Sequence, residues 1–218
     1  MMKLTAADGH EFNAFEAGSV NAPRGLVVVQ EIFGVNGHMR SVSERLARYG
    51  YRVICPALFD RAERGIELGY TAADVERGKA LRAQVSDAAV LADIEAAAAA
   101  MAGRPVGIIG YCWGGSVAWL GATRSDRFKA AVGWYGGGIA ALKELQPHCP
   151  VQLHFGEADH GIPMSDVAAI RAARPEVEVF TYPEAQHGFG CEARSSYSPK
   201  DNELAELRSM AFFAEHLR

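Results

Sequence analysis

Long apolar runs are missing from this chain. No stretch approaches the roughly 18 consecutive apolar residues that a membrane-spanning helix needs, so the sequence predicts no membrane span. Nor does an apolar segment suited to secretion follow Met1-Met2-Lys3-Leu4-Thr5. Cysteine is sparse: positions 55, 112, 149 and 191 form no C-x-x-C pair and no dense framework. Reduced thiols and a cytoplasmic setting are therefore expected. Positive charge is not in excess, since the net charge is -4. That excludes the basic footprint of a nucleic-acid binder and the polybasic signal of a membrane-surface protein. Internal repeats and Pro/Gly-rich linkers are absent too, and the alanine tract 96–100 reads as helix. We expect residues 1–218 to form one domain, a monomer or small homo-oligomer, whose partner is a small molecule.

What is present alternates. Apolar, β-branched runs at 25–29, 51–55, 106–109, 130–135, 151–155 and 177–182 read as strands. Between and after them, 41–49, 74–85, 86–101, 166–173 and 203–217 read as helices, with Ser86 as a cap. A hairpin around Asp8-Gly9 precedes them, and 58–70 reads as an excursion over the site. The pattern predicts an α/β protein with a mostly parallel sheet covered on both faces. Ligands of such folds gather outside the carboxyl ends of the strands.

At one strand end stands Gly110-Tyr111-Cys112-Trp113-Gly114. A Gly-x-Cys-x-Gly between a strand and a helix matches the nucleophile elbow Gly-x-Ser-x-Gly, with sulfur replacing oxygen. The glycines are needed because side chains at those positions would strike the neighbouring strand and helix. The helix start favours a thiolate at Cys112, and the Trp113 N–H is a candidate oxyanion donor. A thiol nucleophile needs a base, and the base an orienting acid. His187 lies past the last strand, and Asp159 past the strand 151–155. The order nucleophile, acid, histidine is that of the α/β-hydrolase fold. Rival groups are Glu157, Asp60, His154 and His160, with His154 placed inside a strand. Trp134, Tyr135 and Phe189 are candidates for a pocket lining or for core, core being the better assignment for Trp134.

Gly110-Tyr111-Cys112-Trp113-Gly114-Gly115, Gln30-Glu31-Ile32-Phe33-Gly34 and His187-Gly188-Phe189 together resemble the dienelactone hydrolase family of carboxymethylenebutenolidases. The resemblance implies hydrolysis of a lactone or enol ester through a Cys-His-Asp triad, without a metal or organic cofactor. It implies that Glu31 draws the thiol proton when substrate arrives. A partly desolvated carboxylate, with its raised pKa, is compatible with that role. The Ile32 N–H would be the second oxyanion donor. Arg61 matches in context one of the family's arginines for the substrate carboxylate, which suit bidentate anion binding. At the other arginine's position stands Cys191, with Arg194 nearby as a substitute. The alternatives are a carboxylesterase unrelated to dienelactones, or a non-catalytic, thiol-reactive binding protein on the same scaffold.

Overall fold

A computed structural model describes residues 1–218. Eight strands form one sheet: β1 (Met2–Thr5), β2 (Glu11–Ala17), β3 (Arg24–Val29), β4 (Tyr51–Pro56), β5 (Val106–Tyr111), β6 (Ala130–Trp134), β7 (Val151–Gly156) and β8 (Glu178–Tyr182). Their spatial order is β1-β2-β4-β3-β5-β6-β7-β8. The strands from β3 to β8 pair in parallel, while the hairpin β1–β2 joins β4 antiparallel. The mostly parallel sheet is what the alternation predicts, and the architecture is the α/β-hydrolase fold expected from the order of nucleophile, acid and histidine. Strands β3, β5, β6 and β7 are buried almost throughout, which is why they read as unbroken apolar runs.

Six helices connect and cover the sheet: α1 (Gly37–Arg48), α2 (Ala72–Arg82), α3 (Asp87–Ala99), α4 (Trp113–Arg124), α5 (Met164–Ala173) and α6 (Pro199–His216). Ser86 caps α3 as expected, accepting from the Ala89 N–H. Two helices, α1 and α6, begin four residues earlier than their periodicity indicates. Asn36 caps α1 through its Oδ1, so the helix includes Gly37 despite that residue's low propensity. Pro199 opens α6, where a missing N–H costs nothing. No helix is long and apolar enough to cross a membrane.

The chain leaves β3 to one side for β4 and then crosses to β5 on the other side. The carboxyl ends of β3 and β5 therefore flank a topological switch point, where such sheets form their crevice. In the register, Val29 is level with Gly110. Glu31 and Cys112, each two residues further on, leave the sheet side by side.

Candidate active site

Cys112 occupies the N-cap of α4 with φ 56° and ψ −118°, a strained conformation for a residue with a side chain. Its own N–H is tied to the Trp134 carbonyl at 3.0 Å, which fixes the elbow to β6. Both flanking glycines are required by space. A Cβ on Gly110 would overlap the Gly114 carbonyl, and one on Gly114 would overlap the carbonyls of Val29 and Gln30. The turn can thus be this tight only with glycine at both positions.

His187 Nε2 lies 3.1 Å from the Cys112 sulfur, and its Nδ1 lies 2.7 Å from Asp159 Oδ2. The remaining oxygen of Asp159 accepts the Gly161 N–H at 2.8 Å, so the buried carboxylate is held from both ends. Backbone hydrogen bonds from Glu157 to Tyr182 and from Ala158 to Ala185 lash the two loops together. The buried Tyr135 ring packs edge-on to the imidazole, with centroids 5.2 Å apart. Burial presses the His187 pKa down, but hydrogen bonds to Asp159 and Cys112 outweigh it and carry the value up to about 10. An imidazolium is therefore favoured beside the sulfur.

Glu31 has no exposed surface. Its Oε2 accepts from the Tyr70 hydroxyl at 3.3 Å, and Asn36 Nδ2 donates to that hydroxyl at 3.2 Å. Its Oε1 has no hydrogen-bond partner, and Arg194 Nη1 stands 4.0 Å away. Burial raises the Glu31 pKa, opposed by the charges of Arg194 and His187 and by the Tyr70 hydrogen bond. Gln30 fixes the turn, its Nε2 donating to the Glu31 carbonyl and its Oε1 accepting the Leu58 N–H. The Ile32 N–H takes part in no backbone hydrogen bond. Trp113, first residue of α4, has an N–H that the helix cannot satisfy. Its ring stacks on Phe59, with centroids 5.3 Å apart.

Beside His187 opens a cavity of about 490 Å³, lined chiefly by polar residues including Tyr70, His160, Gln186, Arg194 and Ser196. Arg194 faces it. Arg61 does not line it and is occupied elsewhere: Nε and Nη2 grip the buried Asp93 at 2.9 and 2.7 Å, and Nη1 reaches Asp8 at 2.6 Å. The expected carboxylate-binding role of Arg61 thus meets a guanidinium whose fork is already filled. Of the rivals, Glu157 and His160 are exposed. Asp60 accepts from Asn13 and Gly65, and His154 is enclosed between Tyr182, Gln152 and Ser209. Trp134, Tyr135 and Phe189 are all core. Sequence reasoning missed Tyr70, Asn36 and His38 around Glu31. The Asn-Gly-His that follows the Gln-Glu-Ile-Phe-Gly strand end was the available signal for two of them.

The sequence profile of the dienelactone hydrolase family matches residues 12–217. The chain belongs to the dienelactone hydrolase family. It is 33% identical to the carboxymethylenebutenolidase of Pseudomonas putida, over 98% of this chain and 95% of that one. A Synechocystis sp. protein named "Putative carboxymethylenebutenolidase" is 39% identical over 79% of this chain and 78% of its own length. Among solved structures, a dienelactone hydrolase described as "putative" from Klebsiella pneumoniae superposes with a TM-score of 0.83. It is 31% identical and covers 97% of both chains. A dienelactone hydrolase-like promiscuous phosphotriesterase from metagenomic libraries, 18% identical with a TM-score of 0.77, shares the fold. This dienelactone hydrolase family member is accordingly a hydrolase of esters or lactones.

Proposed function

We propose that the protein hydrolyses a small ester or lactone of the carboxymethylenebutenolidase type through Cys112 as nucleophile. The observation that carries this reading is the continuous chain Cys112 Sγ, His187, Asp159, with its 3.1 and 2.7 Å links at the mouth of the sheet. The thiolate attacks the carbonyl carbon, and the oxygen that gains charge is stabilised by the N–H groups of Ile32 and Trp113. His187 gives its Nε2 proton to the departing oxygen, leaving a thioester. It then takes a proton from water, whose hydroxide attacks the thioester and regenerates the thiolate. Asp159 holds the imidazole in the orientation this requires. Glu31 accepts the thiol proton as substrate enters, and its raised pKa suits it to hold that proton.

The polar cavity and the inward-facing Arg194 favour a substrate that carries a carboxylate. Cys191 stands where the dienelactone-specific members carry arginine, so Arg194 is the group we assign to that anion.

Replacing Cys112 tests the proposal. Cys112→Ala is expected to lower hydrolysis of an activated aryl ester at least about a thousandfold, with the far-ultraviolet circular dichroism unchanged. Cys112→Ser should retain little activity, because the site is matched to a thiol. Unchanged turnover in Cys112→Ala would refute the reading. A stoichiometric burst without steady-state turnover in the wild type would point instead to a thiol-reactive binding protein.

A further inference from the structure

Three potential metal ligands converge beside the nucleophile from separate parts of the chain. Glu31 follows β3, His38 lies in the first turn of α1, and Cys191 lies in the loop after β8. A carboxylate oxygen, an imidazole nitrogen and the thiol sulfur all lie within 4.8 Å of one another. Two of these residues carry an atom with nothing to bond. Glu31 Oε1 and His38 Nε2 are both buried and lack any hydrogen-bond partner. Buried polar atoms are ordinarily paired, and leaving them unpaired is costly. Convergent unpaired donors are what a cation satisfies.

The donor set of one oxygen, one nitrogen and one sulfur is of the borderline-soft kind that selects zinc over calcium or magnesium. We propose that Glu31, His38 and Cys191 bind Zn2+, and that the bound ion inhibits the hydrolase by withdrawing Glu31 from proton handling. Glu31 coordinates through Oε1, so Tyr70 keeps its hydrogen bond to Oε2. His38 coordinates through Nε2 with its ring proton on Nδ1. Cys191 releases its proton to solvent as the Zn–S bond forms, and Glu31, where it is protonated, releases its own as the Zn–O bond forms. Water fills the fourth tetrahedral position. Zinc–ligand bonds of about 2.0–2.3 Å require donors roughly 3.3–3.8 Å apart, so the cluster must contract by about an ångström at its widest. One carboxylate and one thiolate match the charge of the ion. The competing cation is Arg194, whose side chain must turn from Glu31 toward the cavity that it already lines. Zinc here is an inhibitor and not a cofactor.

The binding claim stands whether or not Cys112 is the nucleophile, whereas the inhibition claim rests on the reaction proposed above. Because Cys112 and His187 also offer zinc a sulfur and a nitrogen, 3.1 Å apart, and Cys149 adjoins His148, the test removes both of those thiols. Zn2+ titrated into the chelator-stripped Cys112→Ser/Cys149→Ser variant should bind one ion per chain with wild-type affinity. X-ray absorption at the zinc edge should show one sulfur at about 2.3 Å among lighter ligands. That arm leaves the cluster intact. Adding Cys191→Ser or His38→Gln should weaken binding at least tenfold, since even outer-shell changes cost about 10–100-fold. Binding abolished in the Cys112→Ser/Cys149→Ser variant, or a zinc shell without sulfur, would overturn the site. In hydrolysis assays, at least tenfold more Zn2+ should be needed to inhibit Cys191→Ser than wild type. Equal sensitivity would overturn the inhibition claim, while inactivity of the zinc-free wild type would count only against the proposed reaction.

Discussion

Glu31 carries a conflict between stability and chemistry that can be read from its two oxygens, one held by Tyr70 and the other unpartnered. Burial favours the neutral acid, so the folded pKa lies above the ordinary value of 4.5. The sign follows from proton counting. Over the interval above 4.5 the native chain binds more protons than the unfolded chain, so stability falls as pH rises. Glu31→Gln removes this dependence at nearly constant shape. We expect its melting temperature to exceed that of wild type at pH 8 and to match it near pH 4. A gain of about 1 kcal/mol would appear as about 2–4 °C for a chain of this size. Hydrolysis should fall at least tenfold in the same variant. A thermal scan showing no gain at pH 8, or an equal gain at pH 4, would remove the argument.

At the scale of elements, the segment after β4 is less of a free excursion than its polarity suggests. Leu58, Phe59 and Asp60 are buried, and the Leu68 N–H bonds the Phe33 carbonyl. Arg61 joins this segment to α3 through Asp93 and to the β1–β2 turn through Asp8. Arg61→Ala should therefore destabilise the fold by about 3 kcal/mol, because it strands the buried Asp93 carboxylate. Below its melting temperature, its kcat/KM on anionic and neutral esters should match wild type. Arg194→Ala should lose activity on the anionic esters alone. Selective loss in Arg61→Ala would return that arginine to the substrate. The contrast shows what a sequence can disclose. Gly110 answers a steric demand from Gly114, within the same five-residue motif, and Asp159 and His187 follow strands marked by their own apolar runs. Their convergence was legible for that reason. The partner of Arg61 lies 32 positions away on a helix, and nothing local distinguishes a paired guanidinium from a free one. Tyr70 escaped likewise, since only the folded loop brings it to Glu31 across 39 positions.

Across the whole molecule, the strands that present the site are tied behind it by a buried polar network. His154 on β7 meets Tyr182 on β8 at 2.8 Å and Ser209 on α6 at 3.1 Å, and Trp134 on β6 donates to Ser209 at 3.2 Å. Burial, reinforced by Arg208, presses the His154 pKa down to about 3. Burial does the same to His38, reaching about 4, with Arg45 and Arg194 adding to it. Both folded values lie below the 6.5 of an unfolded histidine, so the unfolded chain takes up more protons in acid. Their stabilising effect is complete above pH 6.5 and is lost as pH falls toward 4 and 3. Each group contributes up to about 1.4 kcal/mol per pH unit over that interval. His154→Phe separates this titration from the network's structural worth. Its melting temperature should be lower than wild type at pH 7, because Tyr182, Gln152 and Ser209 lose a partner. Between pH 6.5 and 4, however, it should decline less steeply. A decline parallel to wild type would mean that acid unfolds the protein through its carboxylates and not through this buried imidazole.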